Sequence, residues 1–338
     1  MRDVSSARRI AAALLIVSLA LAIAPAGAQD APRSEVVVLQ GHQGAVKSIA
    51  FAPDNETLVS GGEDNTVILW SVTGEQLAVL EGHTRPVTSV AFSPDGATLA
   101  SASEDDTVIL WDVAAREAIA TLEGHGGNVN TVAFNPEGTI LASGDADGKV
   151  FLWDVMTARS LARISANSEA VLSVAFSPDG EALAVAGKDG AVRLFDALTG
   201  EKLSVVEAAH EDAVTDLAFS PDGAALATAS ADRTVKLWDL TAMDKAPVVV
   251  DAHTRGVTSI AFSPDGKTML TGSGDHTVKL WSKATGQELM KWEKHTWVVE
   301  DVAFSPDGTL CASASGDNTI RVWPFPDIDK EAVEPTGS

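Results

Sequence analysis

The chain has 338 residues, with 47 Asp and Glu against 24 Lys and Arg and a formal net charge of −23 at pH 7. That acidity repels phosphate backbones and anionic lipid, which excludes nucleic acid and charged membrane surfaces as first partners and favours a neutral or basic one. The single cysteine, Cys311, excludes an internal disulfide and a c-type haem attachment.

At the N-terminus, Arg2, Arg8 and Arg9 precede an apolar run from Ile10 to Ala24, and Ala26-Gly27-Ala28 follows with the small-x-small pattern that signal peptidase cuts. The run of 15 residues falls short of the ~20 needed to span a bilayer, so residues 1–28 read as a cleaved export signal rather than a retained anchor. Ile10-Ala11-Ala12 after the arginine pair fits general secretion better than twin-arginine export. The expected destination is the periplasm, with the extracellular space as the alternative, and no membrane insertion after cleavage. Removing residues 1–28 leaves 21 basic against 46 acidic side chains, a net of −25. Residues 29–34 read as a short linker.

From Glu35 onward a segment recurs seven times, closing at Trp70, Trp111, Trp153, Phe195, Trp238, Trp281 and Trp323. Successive members lie 41, 42, 42, 43, 43 and 42 residues apart, and a period of about 40–45 residues with four short apolar runs per unit is the pattern of a propeller blade. The second unit shows the plan. Val87–Phe92 is a β-rich run crowded with small residues, suited to a strand near an axis. Ser93-Pro94-Asp95-Gly96 is a tight-turn signal. Thr98–Ser103 is a second strand, Glu104-Asp105-Asp106 an acidic turn, and Val108–Trp111 an apolar third strand that must be covered on both faces. A fourth strand lies around Glu117–Leu122. The predicted fold is all-β: a seven-bladed β-propeller of four-stranded antiparallel blades over residues 35–323.

These residues resemble the WD-repeat (Trp-Asp) β-propellers over Glu35 to Trp323. Histidine stands at His42, His83, His125, His210, His253 and His295, the first three after Gly. Ser or Thr lies ten residues before the closing position in six units, and Asp six residues before it in all seven. The resemblance implies a structural hydrogen-bond network in six blades: His42, Ser60, Asp64 and Trp70; His83, Ser101, Asp105 and Trp111; His125, Ser143, Asp147 and Trp153; His210, Thr228, Asp232 and Trp238; His253, Thr271, Asp275 and Trp281; His295, Ser313, Asp317 and Trp323. Ser, His and Asp also make a nucleophilic triad, but an active site is built once per domain and this set recurs six times. The histidines lie in different blades without ligand spacing, so no metal site is expected, and no cofactor is called for.

Glu35–Leu39 is a strand without preceding partners, and the seventh unit lacks its fourth strand. The N-terminal strand is therefore expected to complete blade seven and clasp the ring. Unit four departs from the pattern, with Asn167, Val185 and Phe195 beside Asp189, which reads as drift in a ring stabilised by the other six. Cys311 occupies a leucine slot and reads as a buried thiol. Pro324 and Pro326 end the last strand, and residues 324–338 read as a polar tail.

Repeat spacing varies by only two residues, leaving no room for catalytic loop insertions, so the expected function is a non-catalytic protein-interaction scaffold in the cell envelope. The alternative is a sensor or an accessory subunit of an envelope enzyme that binds a small molecule in the central channel, with enzyme activity of its own as a minority reading. In similar propellers, partners dock on the face bearing the loops into the innermost strand and the turn before the Asp. By alignment those positions include Lys47, Glu63, Glu104, Asn128, Asn130, Leu172, Lys188 and Glu300 as candidate partner-binding residues. Trp297 joins them, because its counterparts Gly44, Arg85, Gly127, Glu169, Asp212 and Arg255 give no repeat-level reason for an aromatic.

Overall fold

The computed structural model describes residues 36–166, 169–242 and 245–326. The export signal, the linker, Asn167 and the tail from Asp327 lie outside the described residues. Twenty-eight strands form seven four-stranded antiparallel sheets. Blade one is typical: Val46–Phe51 is innermost, followed outward by Thr57–Gly62, Val67–Ser71 and Gln76–Leu80.

The tight turn after each innermost strand follows directly from its residues. Its fourth position takes a left-handed backbone (φ of 68–74°) in six blades, each time at a glycine such as Gly96 or Gly180, and Asn55 supplies it in blade one (φ 61°). In blade two, Ser93 Oγ donates to Asp95 Oδ1 at 2.6 Å and accepts from the Thr98 amide at 2.9 Å, so the Ser-Pro-Asp-Gly sequence locks its own loop.

The core is divided among the junctions between blades. Seven clusters of buried side chains each join one blade to the next; one brings Ile49, Leu58 and Trp70 of blade one against Leu310, Ala312 and Ile320 of blade seven. A four-stranded sheet cannot bury both apolar faces alone, so every blade depends on two neighbours. Cys311, as its slot predicts, is fully buried against Trp323 and Leu280, and burial pushes its thiol up to about 12.

Ring closure follows the predicted arrangement. Val37–Gln40 pairs antiparallel with Thr319–Pro324, with Val37 opposite Val322 and Gln40 opposite Thr319, and so forms the outer strand of blade seven. Leu39 anchors it, 1% exposed, in the cluster shared by blades seven and one. Leu39→Ala should therefore cost about 2–5 kcal/mol, from lost burial and the cavity left behind. Denaturant melts should show the loss in one cooperative transition of the whole ring; a local transition confined to blade seven would contradict the clasp.

Candidate functional site

The repeated polar network is present in five blades. In blade one, His42 Nε2 lies 2.7 Å from Ser60 Oγ, His42 Nδ1 3.0 Å from the Asp64 carboxylate, and Trp70 Nε1 donates to Ser60 Oγ at 2.8 Å. Blades two, five, six and seven repeat it, with His Nε2 to hydroxyl distances of 2.7–2.8 Å. The geometry imposes a direction: the indole donates to the hydroxyl, the hydroxyl to Nε2, and Nδ1–H to the carboxylate, a chain satisfied by neutral imidazole. Burial lowers the pKa of His42, His210 and His295, outweighing the neighbouring Asp64, Asp232 and Asp317. Ser60, Ser101, Thr228, Thr271 and Ser313 are fully buried beneath their tryptophans, so no substrate can reach a hydroxyl that otherwise has the geometry of a nucleophile beside its base. Burial tends to raise the Asp232 carboxyl, yet hydrogen bonds from Thr234 and His210 bring it down to about 2.

Blade three corrects the sequence reading. His125 Nδ1 donates to Asp145 Oδ2 at 2.7 Å, while Asp147, the residue expected there, is exposed on the turn. The cause is the residue that ends the second strand. Where other blades have Gly62, Ser103, Ser230, Ser273 or Ser315, blade three has Asp145, whose longer side chain reaches the imidazole directly. Its other oxygen accepts from the Asp147 and Lys149 amides at 3.0 and 2.8 Å, replacing the turn carboxylate's backbone role as well. In blade four, Val185 and Phe195 are buried, and Asp189 pairs instead with the Arg193 guanidinium at 2.8 Å, a partner that the repeat pattern did not indicate.

The axis of the ring carries a second network. Every innermost strand has a register shift, so that Lys47, Thr88, Asn130, Leu172, Thr215, Thr258 and Glu300 stand as bulge residues. Four reach the next blade: Thr88, Asn130, Thr215 and Thr258 donate to the carbonyls of Val129, Val171, Val257 and Val299 at 2.5–2.8 Å. In four blades the residue after the bulge accepts from an amide of the next blade: Ser48 from Val90, Ser89 from Val132, Ser173 from Leu217 and Ser259 from Val302, at 3.2–3.3 Å. Two carboxylates take this place in blades five and seven with shorter bonds. Asp216 Oδ2 accepts from Ile260 N, and Asp301 Oδ2 from Ile49 N, both at 2.9 Å. Burial, reinforced by the facing Asp301, raises Asp216 to about 6, and burial raises Asp301 too. Both line an axial cavity of about 110 Å³, together with Lys47, Glu300 and a ring of hydroxyls. Among the described residues, no three His, Cys, Asp or Glu side chains gather as metal ligands.

The candidate partner-binding residues divide between channel and rim. Lys47 bridges Glu300 and Glu63, each at 3.0 Å, across the junction of blades seven and one. Asn130 is committed to its inter-blade bond, and Leu172 lines the cavity. Glu104 is paired with Arg85 at 3.1 Å, Asn128 is partly buried at the rim, and Lys188 is exposed far from the first trio. Trp297 is 59% exposed. Its indole lies across Gly316, where a Cβ would collide with it, and stacks on His276 of blade six with centroids 6.1 Å apart and planes at 17°. His276 went unnoticed in the sequence because it occupies a turn position held by Asn, Asp or Gly in most other blades.

Two predictions follow from these networks. Asp145→Ala leaves the buried His125 Nδ1–H unpaired and should cost about 1–3 kcal/mol, whereas Asp147→Ala should stay within about 0.5 kcal/mol of the parent in denaturant melts. Asp216 has a folded pKa raised from 3.8 to about 6. Its contribution is therefore fully present below the unfolded pKa and lost as pH rises through the folded one. Asp216→Ser, which restores the residue found at Ser48, Ser89, Ser173 and Ser259, should improve stability relative to the parent by roughly 1–3 kcal/mol more at pH 7.5 than at pH 4. Equal differences at the two pH values would show that the carboxyl titrates normally.

Comparison with protein families accounts for the same stretch of chain. The model described as WD domain, G-beta repeat matches residues 33–71, 246–282 and 286–324. The model described as IFT122 first beta-propeller matches residues 71–242. With seven four-stranded blades, the His–Ser/Thr–Asp–Trp networks and these matches, the chain belongs to the WD-repeat β-propellers.

Proposed function

We propose that this propeller is a non-catalytic scaffold of the cell envelope that holds a protein or peptide partner on the face bearing Trp297. WD-repeat propellers generally serve protein interaction, and the observation that carries the reading is Trp297 itself. A half-exposed indole, held flat by His276 and Gly316 at the rim of a rigid ring, is an ordered apolar surface outside the core. Trp is enriched among interface residues whose truncation costs about 2 kcal/mol or more. The envelope location rests on the pattern of residues 1–28.

A second reading, a small molecule in the channel, is favoured by the axial cavity with its two carboxylates. At about 110 Å³ it is well below the roughly 300–1,000 Å³ of ordinary ligand pockets, so the scaffold reading is preferred.

The test is capture of partners by protein recovered from the periplasmic fraction, where its intact mass should begin at Gln29. Trp297→Ala should leave the melting temperature nearly unchanged while weakening capture at least about tenfold. Full capture by the variant, or a mass that retains residues 1–28, would overturn the docking face or the location respectively.

A further inference from the structure

The net charge of the whole chain favours a basic partner, but the rim that carries Trp297 also carries two exposed arginines, Arg233 and Arg255. A continuous row of contacts crosses the face from blade five to blade seven. The carbonyl of Arg233 in blade five accepts from the amides of Ala252 and His253, which bring it against the loop that carries Arg255. The Arg255 side chain lies over Gly274, donating to its carbonyl at 3.4 Å, two residues before His276. His276 stacks on Trp297, and Trp297 covers Gly316 of blade seven. Arg233, Arg255, His276 and Trp297 thus stand in sequence along one rim, with both arginines and the indole exposed.

Both guanidinium groups are free of carboxylates among the described residues, unlike Arg85 with Glu104, Arg193 with Asp189, or Lys47 with Glu300 and Glu63. The turn acids beside them are already committed, while Asp251, exposed and opposite Thr234 in the strand register, is not. Asp232 accepts from His210 and Thr234, Asp275 from His253, Thr254 and Thr277, and Asp317 from His295, Thr296 and Thr319. Glu211 and Asp212 are exposed in the loop that enters blade five and bound the row on its blade-four side.

The backbone gives an independent indication. The position after the turn Asp has a left-handed conformation in every blade, held by Asn65, Asp106, Gly148, Gly190, Arg233, His276 and Asn318. Gly, Asn and Asp adopt it readily; Arg does not, and Arg233 holds it at φ 78°. Arg233 thus carries a conformational cost that the glycines of blades three and four avoid, an outlier that points to a role for its side chain.

We propose that this row binds an acidic, extended peptide segment of a partner protein, with its carboxylates on Arg233 and Arg255 and an apolar side chain on Trp297 beside His276. The proposal rests on the reading that the Trp297 face is the docking face, and it names the partner's chemistry. Guanidinium groups suit carboxylates because their planar donors pair with both oxygens. The rest of the strongly acidic surface repels the same segment and so confines it to blades five to seven.

The test is selection of a phage-displayed library of random peptides on the full chain, followed by fluorescence anisotropy with the most enriched peptide. Enriched sequences should carry Asp or Glu flanking a Leu, Ile, Phe or Trp. Their binding should weaken at least about tenfold in the double variant Arg233→Glu with Arg255→Glu, and should fall as salt is raised. Arg233→Gly should melt at or above the parent while still losing affinity, which separates recognition from folding. Enrichment of basic peptides, no enrichment at all, or displacement by inorganic polyphosphate without any acidic peptide consensus would overturn the proposal. Peptides lost on Trp297→Ala but indifferent to both arginine changes would overturn the acidic partner alone; indifference to all three would overturn the docking face as well.

Discussion

The constraint on which this molecule depends is that every sheet is incomplete by itself. Each blade has two apolar faces and no helix among the described residues to cover them, so the seven buried clusters lie at junctions, and each junction must close for the next to be useful. The axial hydrogen bonds serve the same end. A bulge in each innermost strand turns one side chain and one amide toward the neighbouring blade, so that the strands nearest the axis, where seven chains crowd together, are joined by polar bonds rather than bulky side chains. This explains why the first strand of each repeat is rich in Ser, Thr and Ala.

The architecture was legible in the sequence because repetition multiplies a weak signal. One Ser-Pro-Asp-Gly turn says little, but the same turn at the same spacing before each Leu-rich strand fixes number, order and register of the blades. The residues that escaped are those that break the repeat and whose meaning depends on contacts across it. Asp147 kept the aligned position, yet Asp145, two residues nearer the strand, has the shorter path to His125 and the burial to make the bond count. Arg193 sits where blades one to three have Ile68, Ile109 and Phe151 and blades five to seven have Lys236, Lys279 and Arg321, and only the structure shows its guanidinium against Asp189. Asp216 and Asp301 stand in the series Ser48, Ser89, Thr131, Ser173 and Ser259, so alignment could have singled them out. That Asp301 acts on Asp216 from beyond blade six follows only from the curvature of the ring.

Charge behaves in the same way. A net of −23 describes how the molecule looks from many ångströms away, while recognition happens within a Debye length or less. Much of the acid near the face is absorbed by imidazoles, hydroxyls and backbone amides, so the exposed potential of a rim segment is set by the few groups left without partners. Conversely, the two axial carboxylates add little to the outer surface but oppose each other inside it, a cost only partly offset by the shorter bonds they make to Ile49 and Ile260.

The closing strand has a mechanical consequence. Because Val37–Gln40 runs antiparallel to Thr319–Pro324, with Val37 opposite Val322, the chain enters and leaves the ring at the same corner of blade seven. Tension applied between the two ends would load their hydrogen bonds one after another, as in a zipper, rather than all together in shear. Tension on one end alone would instead pass into the sheet as a whole. A propeller of this design tolerates being tethered at a single terminus, whereas a pull between both termini opens the ring at its seam in blade seven before any other blade is disturbed.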